Sequence, residues 1–94
     1  MTKKPMYPTL LPAHVRHDKN LTALSKILYS ELYAEFNHVT EDYIIIIYSK
    51  YENLYEKSAK TIIRAFKCLE RNNYIKIIDI DYLNIDKKRI YLIK

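Results

Sequence analysis

Four cations in the stretch from Ser58 to Asn72 have the spacing needed to hold a polyanion. The segment reads SAKTIIRAFKCLERN. Plotted at about 100° per residue, Lys60, Arg64, Lys67 and Arg71 fall within about 60° of one another, with Thr61 and Cys68 beside them. Ala59, Ile62, Ile63, Ala65, Phe66 and Leu69 take the opposite side, interrupted only by Glu70. A solvated helix face ordinarily mixes charge signs. Here the stripe holds no acid, and like charges at i and i+4 repel, so an anionic partner is the natural compensation. Phosphate neutralisation is the chemistry these residues suit. Lys60 and Arg64, near the segment's start, are placed to read base edges. Ser58 and Thr61 can donate to phosphates, and Lys57 stands just ahead of them.

Lys87, Lys88 and Arg89 form a second basic cluster. Asp79, Asp81 and Asp86 are close in sequence, so a charge-balanced hairpin competes with a phosphate contact there. The tyrosines Tyr29, Tyr33, Tyr43, Tyr48, Tyr51 and Tyr55 offer ring faces on which single-stranded bases could stack, although such residues more often fill a core. His14 and His17 with Asp18 supply two imidazoles three residues apart on an irregular segment, too little for a metal site. No serine or cysteine stands in a nucleophile motif, and without glycine there is no phosphate loop. Neither catalysis nor a cofactor is expected.

These side chains need elements to hold them. Residues 58–72 predict a helix with Ser58 as N-cap and the Asn72-Asn73 pair as its end. Just upstream, Ser49-Lys50-Tyr51-Glu52 matches a capping box, predicting a short helix to about Tyr55 with Glu56 and Lys57 as a tight connection. The two together make a helix-turn-helix. Residues 43–47, β-branched and apolar on both sides, predict a strand. An earlier helix is expected from Leu21 or Thr22 to about Asn37, with Leu24, Ile27, Leu28, Leu32 and Phe36 on its core arc. Glu31 and Glu35 share that arc and need a partner or an exit to solvent. Residues 74–80 and 88–93 predict a hairpin with a loop from Asp81 to Lys87. The expected fold is α+β: a winged helix-turn-helix with three helices, a small antiparallel sheet and a C-terminal hairpin wing. Residues 1–20, with three prolines, read as an N-terminal arm in which Leu10 and Leu11 dock while Met1 to Lys4 stay mobile. Residues 21–94 read as the winged-helix domain.

Composition narrows the function further. Ninety-four residues, half of them hydrophobic, suffice for one packed core, and the net charge of +5 favours an anionic partner. No apolar stretch follows the N-terminal lysines and the run Ile44 to Ile47 is too short to span a bilayer, so neither signal peptide nor membrane is expected and the cytoplasm is the expected compartment. Cys68 is the only cysteine, which excludes an intrachain disulfide. With no glycine, positive φ angles must fall to other residues, and Asn72, Asn73, Asn84 and Asp86 are the turn candidates.

Residues 10–32, 48–75 and 87–93 also resemble the N-terminal winged-helix domain of plasmid and phage replication initiators of low-GC Gram-positive bacteria. The family's lead into helix one is matched by Leu11-Pro12, Asp18-Lys19 and Leu21-Thr22. The chain departs from it in two places. Glu56 and Lys57 stand where the family has Gly and an apolar residue before the recognition helix, and Asn73 stands where it has Gly. The resemblance implies sequence-preferring binding of double-stranded DNA in replication initiation or transcription control, with a homodimer among the assemblies it allows. The rival class is a mobile-element interaction module that covers a replication protein or another nucleic-acid enzyme.

Overall fold

The computed structural model describes residues 12–80 and 83–93; the expectations for Leu10, Leu11 and Met1 to Lys4 lie outside them. Four helices and three strands follow in the order α1 (Ala13–Arg16), α2 (Ala23–Phe36), β1 (Tyr43–Ile47), α3 (Tyr48–Tyr55), α4 (Ala59–Arg71), β2 (Ile75–Asp79) and β3 (Lys87–Leu92). The strands form one antiparallel sheet in the order β1-β3-β2. The expected architecture of three helices gains a fourth, because α1 falls in the segment read as an irregular arm. Its Val15 is fully buried, and Pro12, with no N–H to leave unpaired, stands at the helix's N-cap.

Helix α2 starts where Thr22 accepts a hydrogen bond from the Ser25 N–H at 3.1 Å. Leu28, Tyr29 and Leu32 of α2 and Ile62, Phe66 and Leu69 of α4 are all wholly buried in one cluster, with Leu24 packed at its edge. The sheet closes that cluster with Ile44, Ile46, Ile75 and Ile90. Glu31, the misplaced carboxylate of the α2 arc, is exposed and accepts a 2.8 Å hydrogen bond from the Tyr55 hydroxyl. Glu35 is also exposed.

The capping box expected at Ser49 does not form. Helix α3 begins two residues earlier, directly at the end of β1, and its N-cap residue Ile47 has no side chain able to cap. Asp86, the residue directly before β3 and so beside the end of β1, serves instead. Its main-chain carbonyl accepts from the Tyr48 N–H at 3.0 Å and its carboxylate from the Ser49 N–H at 3.2 Å. A negative group at a helix N-terminus also complements the helix dipole.

Among the described residues two have left-handed backbone, Glu56 (φ 55°) and Asn73 (φ 66°). Asn tolerates this region, whereas for glutamate the left-handed well costs about 1–2 kcal/mol. Glu56→Gly is therefore expected to raise stability by about 1 kcal/mol, read as a higher midpoint in urea; a lowered midpoint would show that the Glu56 side chain holds the turn.

Burial pushes the phenols of Tyr29, Tyr48, Tyr51 and Tyr74 up to about 12, and at Tyr74 the hydrogen bond from its hydroxyl to the Asp18 carboxylate adds to the effect. The folded chain holds these protons more tightly than the unfolded chain, whose tyrosines titrate at about 10. Their contribution to stability is whole below that pH and is lost as the pH rises toward 12. Between those limits, tyrosinate absorbance from these rings and loss of helical circular dichroism should appear together. Free titration of every tyrosine at about pH 10 with helix content intact would contradict their burial.

Candidate nucleic-acid interface

Helix α4 begins at Ser58, whose hydroxyl accepts from the Thr61 N–H at 3.3 Å and lies 3.0 Å from the Thr61 hydroxyl. Ahead of it, the Lys57 N–H donates to the Glu52 carbonyl at 3.1 Å and closes the end of α3. Only Glu56, Lys57 and Ser58 separate the two helices. The left-handed Glu56 lets so short a connection turn the chain.

Lys60, Arg64, Lys67 and Arg71 are all exposed on the outer side of α4, and none makes an ion pair with a described residue. They share a shallow groove floored by the half-buried Ile63. Ile63 was assigned to the core side of the wheel. It lies instead at the boundary, where the aliphatic stems of the lysines can rest on it while their ammonium groups stay in water. Glu70 interrupts the apolar side of the helix in sequence, but its carboxylate turns to the unpaired edge of β2 and accepts from the Ile77 N–H at 3.0 Å. That leaves the basic stripe free of acid.

Cys68 corrects the expected wheel. It was placed beside the cations, yet it is buried and its thiol donates to the Asn20 carbonyl at 3.5 Å. The segment 12–21 brings the Asn20 carbonyl to that side of α4 and adds Val15 and Leu21 to the buried cluster. The same segment engages both other polar candidates there. His14 stacks on Tyr74 at a ring distance of 6.0 Å, and Asp18 accepts from the Tyr74 hydroxyl at 2.7 Å. Among the described residues no group of three or more metal-ligating side chains comes together.

The cations of the hairpin are divided between two surfaces, and only Lys88 borders a groove with α4. Lys87, Lys88 and Arg89 lie in β3, so successive side chains point to opposite faces. Lys88 is on the core side, ion-paired with Asp79 and 5.9 Å from the centre of the Tyr48 ring. Arg89 is on the outer side, with its guanidinium 4.3 Å above the Tyr43 ring. Between α4 and the hairpin the walls are mixed in charge, with Lys67 and Lys88 facing Glu70 and Asp79. The groove between α4 and the hairpin therefore has no single sign, whereas the open side of α4 carries only cations.

Of the tyrosines with candidate ring faces, Tyr29, Tyr48 and Tyr51 are buried, and Tyr33 and Tyr55 pack against the core. Only Tyr43 lies on the outer face of the sheet, where Tyr91 joins it. No described helix is long and apolar enough to cross a membrane. Comparison with protein families, with curated proteins and with solved structures finds no match to this chain.

Proposed function

We propose that the fold is a winged helix and that the chain is a non-catalytic, sequence-preferring binder of duplex DNA, acting in plasmid or phage replication initiation or in transcription control. The element order α2, β1, α3, α4, β2, β3 supports the fold assignment, with α3 and α4 as the helix-turn-helix and β2 and β3 as the wing. The left-handed Glu56 and Asn73, at two positions where replication initiators of this type have Gly, support the family resemblance. One observation carries the function: four exposed cations on a single helix face, unpaired by any described acid. With α4 in the major groove, Lys67 and Arg71 neutralise phosphates while Lys60 and Arg64 reach the bases.

The test is the salt dependence of duplex binding. With Lys67 and Arg71 on phosphates the log–log slope should be about −2, and Lys67→Ala or Arg71→Ala should lower its magnitude by about one unit for all sequences alike. A slope of about zero would remove the electrostatic basis of the proposal. Exposed apolar side chains on the hairpin, Ile80 and Ile85 among them, favour the second reading, in which the same scaffold covers a nucleic-acid enzyme.

A further inference from the structure

The outer face of the sheet presents rings and cations together. Directly opposed residues of an antiparallel pair share a face. The register Tyr43↔Tyr91 sets two tyrosines side by side, and Ile45↔Arg89 with Ile78↔Arg89 puts the arginine at the centre of the three strands. Lys76 lies opposite Tyr91, and Lys87 opposite Ile47. By this register the strands contribute three cations and no acid to this face. The face is open to solvent, since Ile45 and Ile47 are 42% and 41% exposed and Lys76 is exposed.

The tyrosine rings stand 5.7 Å apart, inclined at 50°. Arg89 stacks on the Tyr43 ring, and one of its terminal nitrogens reaches the Tyr91 hydroxyl at 3.5 Å, while its Nε has no hydrogen-bond partner. A guanidinium carries five N–H donors. A single long hydrogen bond leaves most of this one's capacity unused.

We propose that this face binds single-stranded nucleic acid, with bases stacking on Tyr43 and Tyr91 and phosphates held by Arg89 and Lys76. Aromatic platforms beside basic side chains take single strands because every unpaired base offers a ring face, whereas a duplex keeps its ring faces inside the stack. Charge separates this occupant from a second copy of the chain. A two-fold pairing would set this face, to which the strands give three cations and no acid, against another of the same charge, and like-charge juxtaposition opposes it. Glu35 and Lys50 border the Ile45–Ile47 side, which is mixed in charge, so the nucleic acid lies toward Tyr43, Tyr91 and Lys76. The proposal is independent of α4, and loss of duplex binding on altering that helix would leave it standing.

The experiment is fluorescence anisotropy of the whole chain with labelled oligothymidylate of about twelve nucleotides, within the usual range of single-strand site sizes. Tyr43→Leu/Tyr91→Leu should lower affinity by about tenfold or more, while Tyr43→Phe/Tyr91→Phe, which keeps the rings, should stay within about threefold of the parent. Lys60→Glu/Arg64→Glu should reduce oligothymidylate binding less than the leucine pair does. Circular dichroism reports whether the leucine pair folds. If it does not, the exposed Lys76→Ala replaces it, and should weaken binding and lower the magnitude of the salt slope by about 0.7 of a unit, the single-strand value per contact. Parent-like affinity in the folded leucine pair, or in Lys76→Ala, overturns the proposal. So does a parent that sediments as a dimer which the leucine pair dissociates while oligothymidylate binding persists, because the face would then belong to a second copy.

Discussion

Phe66→Ala should lower the free energy of unfolding by about 3 to 5 kcal/mol, the largest stability loss expected of any single substitution in this chain. Phe66 is wholly buried on α4 and lies 5.3 Å, ring to ring, from both Tyr48 and Tyr51. It joins α3 and α4 to the core beneath them. Removing the ring forfeits its burial and leaves a cavity between α3 and α4 that neither helix can close without breaking the three-residue turn. Small domains have only about 5 to 15 kcal/mol in total, so the variant should approach the limit of folding at ambient temperature. At about 4 °C or more per kcal/mol for a domain of this size, the thermal midpoint should fall by at least about 12 °C. A melt matching the parent would mean that α3 and α4 do not pack through this residue.

The second large effect is on binding. Lys60 and Arg64 are one turn apart near the start of α4, the end that enters the groove in helix-turn-helix proteins. If each reads a guanine edge, its loss costs about 1 to 3 kcal/mol and relaxes sequence preference at its position. The pair together should then cost about thirtyfold in affinity or more, and reversal of charge adds repulsion from the phosphates. Loss of Lys67 or Arg71 should instead weaken every duplex equally. This contrast between loss of preference and loss of strength separates base reading from general attraction.

What could be read from the sequence was local, because helix caps and amphipathic spacing repeat within a few residues. Ser58 and Asn72 bound α4 as their types require, and Leu28, Leu32, Ile62, Phe66 and Leu69 meet where the 3.6-residue period puts them. What escaped was set by residues distant in the chain. Asp86 takes over the capping of α3 from Ser49 across an interval of 37 residues. Glu70 looked like an error in an apolar arc until the edge of β2 arrived beside it. Cys68 falls beside the basic face by spacing because the segment ahead of α2 reads as an arm, whereas the Asn20 carbonyl of that segment meets the buried thiol. The basic run from Lys87 to Arg89 was legible as charge but not as geometry. Strand alternation divides it between two faces, and pairing with Asp79 occupies Lys88. Of the candidate site, the α4 stripe was visible from spacing alone, whereas the pairing of Tyr43 with Tyr91 depends on a strand register that no short window contains.

Duplex titration of the Lys60→Glu/Arg64→Glu variant bears most directly on whether α4 reads DNA. Affinity is measured by anisotropy at fixed salt against the parent, after a thermal melt shows that both share one midpoint. DNA reading by α4 predicts a drop of about thirtyfold or more together with loss of preference among duplex sequences. Unchanged duplex affinity in the folded variant would contradict it and leave the protein-interaction module as the better account.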